Sequence, residues 1–206
     1  MRSYHAVFAL LLSALALRGQ TSVQPDSAHR AWSASWITHP TASLRDPLVL
    51  RFRRTLDLSI APASYPIRVS ADNRFILFVN GQRVGDGPAR GDLNHWRYEL
   101  FDIAPYLRSG QNLITATVWN FGLFSPIAQI SDRTTFLLES EATGPNSIST
   151  PEGWLVKEEP GHTPLDRSSV SLLTYFASGP GEQIDAAHYD WAWEDRKSTR
   201  LNSSHT

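Results

Sequence analysis

The stretch Phe75-Ile76-Leu77-Phe78-Val79, followed at once by Asn80-Gly81, constrains the fold of this chain more than any other. Five consecutive apolar residues without helical spacing predict a strand covered on both faces. Asn-Gly is the strongest short hairpin signal, because a type I′ turn needs positive φ at both central residues. Gln82-Arg83-Val84 then forms the returning strand.

Neighbouring segments carry the same signature. Leu48, Leu50, Phe52, Leu56 and Leu58 alternate with Val49, Arg51, Arg53, Thr55 and Asp57, which predicts a strand with one buried face; Arg54 is the exception. Tyr65, Ile67, Val69 and Ala71 repeat the pattern with Arg68 and Ser70 outward. Trp96, Tyr98 and Leu100 alternate with Arg97, Glu99 and Phe101, and Ser109–Asn112 turns the chain into the β-branched run Leu113–Trp119. Thr134–Leu138 and Trp154–Val156 read as further strands, and only Ile103–Leu107, around Pro105, reads as a helical turn. About eight short strands separated by turn residues predict an all-β fold over residues 32–158, a β-sandwich or barrel. Residues 159–194 read as an irregular connecting segment, punctuated by Gly and Pro and then aromatic.

The two ends are of a different kind. Residues 1–20 begin with Arg2 and His5, continue with the apolar run Ala6–Leu12, and reach Ala14-Leu15-Ala16, the layout of a secretory signal peptide. A membrane span would need roughly twenty apolar residues, and Arg18 and Gln20 interrupt too soon. A secreted or periplasmic protein is expected. At the other end, Asp195-Arg196-Lys197-Ser198-Thr199-Arg200-Leu201-Asn202-Ser203-Ser204-His205 resembles the in-frame translation of a sequencing-adapter oligonucleotide. Residues 195–206 are therefore expected to be non-native, with the natural protein continuing past Glu194.

Charge and cysteine usage exclude whole classes of function. Nineteen basic residues against twenty acidic give a net charge of −1, so no basic field exists for nucleic acid. With no cysteine there is neither a disulfide framework nor thiol chemistry, and packing alone must hold the fold. No nucleophile elbow, P-loop, H-E-x-x-H or Cys/His zinc pattern occurs. The histidines at 29, 39, 95, 162 and 188 are scattered, and Asp72, Asp86 and Asp92 lack EF-hand spacing, so no metal and no cofactor are expected. A glycosidase needs two converging carboxyls. Glu158 and Glu159 are adjacent on a strand and point to opposite faces, and they and the Asp190/Glu194 pair are expected to be solvated charges, so no catalytic residue is assigned.

The densest polar cluster is Gly85–Trp96, a loop between a hairpin and a strand, where binding residues are often displayed on a rigid sheet. Arg90, Asp92, Asn94 and His95 beside Trp96 are the groups that a lattice of sugar hydroxyls and one apolar sugar face would engage. Trp119-Asn120 ends a strand in the same style, and both join the candidate carbohydrate contacts. The competing expectation is a loop whose charges pair internally and whose Trp96 packs inward. Trp191 and Trp193 are expected at an interface with a neighbouring domain.

Several of these segments together resemble the N-terminal region of bacterial α-L-rhamnosidases. They are Trp32-Ser33-Ala34-Ser35-Trp36-Ile37, Leu50-Arg51-Phe52-Arg53-Arg54-Thr55, Val69–Phe75 with Val79-Asn80-Gly81, and Gly87-Pro88-Ala89-Arg90-Gly91-Asp92 with His95-Trp96. Asp102–Leu107, Gly110–Leu113, Val118-Trp119-Asn120 and Gly179–Glu182 extend the similarity across residues 32–194. The resemblance implies a multidomain inverting glycoside hydrolase that releases terminal rhamnose. Its front module is a galactose-binding-like jelly roll, and its catalytic acid and base lie on a later (α/α)6 barrel that no position here matches. The expected partners are a rhamnosyl glycan or glycoside and, within the same polypeptide, the absent catalytic domain. A free-standing carbohydrate-binding module and a structural brace without a ligand are the alternatives.

Overall fold

The computed structural model describes residues 31–43, 45–126, 129–165 and 181–193. The expected leader over 1–20, the adapter-like tail over 195–206, and Glu194 lie outside the described residues. Among the described residues there are ten strands: β1 (Leu48–Leu58), β2 (Pro66–Asp72), β3 (Arg74–Val79), β4 (Gln82–Gly87), β5 (Glu99–Asp102), β6 (Gly110–Asn120), β7 (Thr135–Ser140), β8 (Trp154–Glu158), β9 (His162–Pro164) and β10 (Glu182–Ile184). A five-stranded sheet in the order β4-β3-β6-β1-β8 faces a three-stranded sheet in the order β5-β2-β7, with every pairing antiparallel. The fold is an all-β sandwich. A separate β9–β10 pair occupies the stretch expected to be irregular. Among the described residues no helix is long and apolar enough to cross a membrane.

The hairpin forms for the reason the sequence offers: Asn80 and Gly81 hold φ of 53° and 78°. The Asn80 side chain ties the turn down, donating to the Tyr106 carbonyl and to Asn112 Oδ1 at 2.9 Å each and accepting the Leu113 N–H at 3.0 Å. Residues Ala104–Tyr106 make the expected short helical turn. Between the sheets, Phe136 stacks on Phe52 at 5.0 Å and meets the Trp154 edge at 5.3 Å. Leu50, Val69, Phe75, Leu77, Ile114 and Val118 close round them, fully buried.

Two strand readings need correction. In β3 only Phe75, Leu77 and Val79 are buried, whereas Ile76 and Phe78 are half-buried on the outer side. The alternation is hidden in the sequence because both faces carry apolar residues, while only the inner face meets a second sheet. In β1 and β2 the residues expected to face solvent, Val49, Arg51, Arg53, Arg68 and Ser70, are buried. They do point outward, but segments from both ends of the described chain cover the arginines, and Ser70 is met by the Arg97 carbonyl.

On the five-stranded sheet the cover is the turn 185–193. Tyr189 lies over the Arg51 guanidinium at 4.4 Å, and Trp193 lies over Arg53 at 5.9 Å and the Lys157 ammonium at 4.8 Å. Arg51 Nε pairs with Glu159 at 2.9 Å, both side chains almost wholly enclosed, and Lys157 pairs with Asp190. Glu159 is therefore not a solvated charge, although Glu158 is half exposed. Gly161 permits the close approach, since a Cβ there would stand 2.2 Å from the Tyr189 nitrogen and 2.4 Å from its Cα. On the three-stranded sheet Trp32 lies over Arg68 at 4.2 Å while Arg68 pairs with Glu139, which also accepts the Ser33 N–H at 2.9 Å. Burial of the outward arginines is tolerable because each has a carboxylate partner or an aromatic face or both, and its stem packs as hydrocarbon.

Candidate functional site

The loop after β4 crosses from the edge of one sheet to the edge of the other and is anchored at both ends. Ala89 N–H donates to Glu99 Oε1 at 3.0 Å, and Ser70 Oγ on β2 donates to the Arg97 carbonyl at 2.7 Å. Its tip is organised by Asp92, whose Oδ1 accepts the N–H groups of Asn94 at 2.8 Å and His95 at 2.9 Å. The His95 Nδ1 lies 3.0 Å from both Asp92 oxygens. The His95 ring, then the Asn94 N–H, hold the Asp92 carboxyl below the usual aspartate range. Asn94 and His95 are exposed, and Arg90 is half-buried.

Trp96 is half-buried and meets Trp36 edge to face at 6.4 Å, with 87° between the rings. Trp36 itself is 44% exposed. It belongs to the segment that bridges β7 through Ile37 and Phe136. Because Ile37 points into the core, Trp36 points away from it. Arg90, Asp92, Asn94, His95 and Trp96 thus share one loop, joined by a second indole that sequence reasoning missed. Sixty residues separate the two tryptophans, and no local pattern marks their meeting.

Trp119 and Asn120 do not belong to that cluster. Trp119 pairs in register with Val49 and Arg74 on the outward side of the five-stranded sheet, whereas Trp96 leads into β5 of the other sheet. Asn120 is fully buried, its Nδ2 donating to Ser131 Oγ at 2.8 Å and its Oδ1 accepting the Gly122 N–H at 2.8 Å. Beside it Asp72 accepts the N–H groups of Asp132 at 2.7 Å and Arg133 at 3.0 Å, and Asn73 Nδ2 at 2.6 Å. Burial pushes the Asp72 carboxyl above the usual aspartate range against the pull of these donors. Asn120 is enclosed among these groups, where it ties the end of β6 to Gly122 and Ser131 beside the end of β2. Among the described residues no three His, Asp or Glu side chains converge on a common point that could hold a metal ion.

Among solved structures the chain is similar to the GH78 family rhamnosidase of Bacillus sp. GL1. The two are 29% identical with a TM-score of 0.69, over 82% of this chain and 17% of that one. The sandwich resembles one module of a rhamnosidase. The likeness to the α-L-rhamnosidase of Dictyoglumus thermophilum is one of fold, at 18% identity and a TM-score of 0.59, over 84% of this chain and 21% of that one. No family model and no curated protein matches the chain. The resemblance read from the sequence motifs thus holds at the level of this module, which spans 17% and 21% of the two rhamnosidases.

Proposed function

We propose that this chain is the N-terminal, non-catalytic module of an exported α-L-rhamnosidase-type glycoside hydrolase that acts on rhamnose-containing glycans or glycosides. The observation that carries the reading is the match at 29% identity and TM-score 0.69 to a fraction of a rhamnosidase, reached from most of this chain. The catalytic residues then lie downstream, and the loop Arg90–Trp96 with Trp36 is the surface that meets carbohydrate. An apolar indole face next to hydroxyl-binding Asp, Asn, His and Arg groups is the composition such a contact requires.

A structural brace is the second reading. It is favoured by the Trp96 indole N–H, which is buried without a partner among the described residues.

The test has two arms. The locus is sequenced past the codon for Glu194 and its product assayed on p-nitrophenyl α-L-rhamnoside beside this chain. Hydrolysis by the continued protein and none by this chain is expected, while a native stop within a few codons overturns the hydrolase reading. The paired substitution Arg90→Ala and Trp96→Ala is then expected to weaken glycoside binding without lowering the melting temperature. Unchanged binding with a lowered melting temperature selects the brace.

A further inference from the structure

Trp191 is the most exposed indole among the described residues, at 71%, yet it is held firmly. Its Nε1 donates to the Ala186 carbonyl at 3.1 Å, its backbone N–H donates to the Tyr189 carbonyl at 3.0 Å, and its ring lies 4.6 Å from that of Tyr189. Tyr189 in turn covers Arg51, which is paired to Glu159. The result is a three-tier contact rooted in the sheet, with the Trp191 ring tilted by 54° against Tyr189 and an indole surface at the outer end. Because the indole N–H is already bonded inside the turn, what Trp191 offers a visitor is ring surface and not a donor.

The rim of the platform is polar. Asp185 and His188 pair at 2.6 Å with side chains 50% and 69% exposed, and the Asp185 carboxylate retains lone pairs beyond those that bond the Ala187 N–H and His188. Such a patch is small for a protein partner. A stable interface takes about 800 Å² from each side, with charge depleted at its centre, whereas one tryptophan supplies about 150–250 Å². A ligand with one apolar face and a polar edge fits, and a pyranose ring has that shape.

We infer that the turn 185–193 is a second carbohydrate-stacking platform, in which Trp191 takes one face of a pyranose and the Asp185–His188 pair receives its hydroxyls. The inference rests on the proposed carbohydrate-handling role but concerns a different surface, the outer side of the five-stranded sheet. Holding the ring in place by these contacts lowers the cost of ordering it on binding.

The test titrates methyl α-L-rhamnoside into this chain, followed by saturation-transfer NMR and tryptophan fluorescence. Transfer through the Trp191 ring and about tenfold weaker binding in Trp191→Ala are expected, the loss of one stacking contact, with Trp191→Phe close to the parent. Both variants are expected to melt with the parent. Parental affinity in Trp191→Ala refutes the platform, and so does the absence of any saturation transfer. If binding is lost in Arg90→Ala/Trp96→Ala and kept in Trp191→Ala, the proposed function stands and this site falls. If the parent self-associates and Trp191→Ala does not, the occupant is a second copy of the chain and the sugar reading is overturned.

Discussion

Replacing Glu159 by Ala probes the ion pair that lies under the 185–193 turn. The Arg51 side chain is 2% exposed and that of Glu159 is 0% exposed, so solvent cannot take over the partner's role when one side is removed. The Glu159 carboxylate also accepts the N–H groups of Gly161 at 3.1 Å and of Asp190 at 3.2 Å, and both donors are orphaned with it. Breaking a buried pair from one side costs about 3–5 kcal/mol, because it leaves the surviving charge enclosed. At roughly 2–4 °C per kcal/mol for a domain of this size, the thermal midpoint should fall by about 6–20 °C. Circular dichroism melts at neutral pH measure this directly. The internal control is Asp86→Ala, which breaks the Arg83–Asp86 pair at 3.1 Å on side chains 57% and 61% exposed. That pair is worth about 0–1 kcal/mol. If Glu159→Ala melts no lower than Asp86→Ala, the pair does not bear on folding and the outer face is not the enclosed environment described above.

Two further outcomes are expected. Gly161→Ala places a methyl group within 2.2 Å of the Tyr189 backbone, so the 185–193 turn must lift from the sheet; proteolysis between residues 181 and 193 should speed up, and an unchanged cleavage rate would contradict the packing. Burial alone would raise the Glu139 carboxyl, but the Ser33 hydroxyl, the Ser33 N–H and the Arg68 guanidinium outweigh it and hold it below the usual glutamate range. A depressed carboxyl stabilises the fold above its unfolded value, and that stabilisation is lost as pH falls through the folded one. The difference in melting temperature between the parent and Glu139→Gln should therefore be largest near neutrality and shrink toward about pH 3. A constant difference across that range would refute the assignment.

The sequence by itself determined the fold class, the hairpin and the inner face of nearly every strand. These features are local: side-chain alternation follows from the two-residue repeat of an extended backbone, and the turn at Asn80-Gly81 follows from the φ that those two residues tolerate. The candidate loop was legible for the same reason, as a polar run between two strands with an indole at its end. What lies outside the sheets was not legible. Arg51, Arg53 and Arg68 alternate like solvent-facing residues, and nothing near them in sequence says that Tyr189, Trp193 and Trp32 will cover them. Phe78 reads as core, and yet no second sheet lies on its side. The meeting of Trp36 with Trp96, the enclosure of Glu159 and the burial of Asn120 likewise join residues far apart along the chain. Only the tertiary structure decided these, because strand periodicity states which way a side chain points and contains no term for what the rest of the chain lays over it.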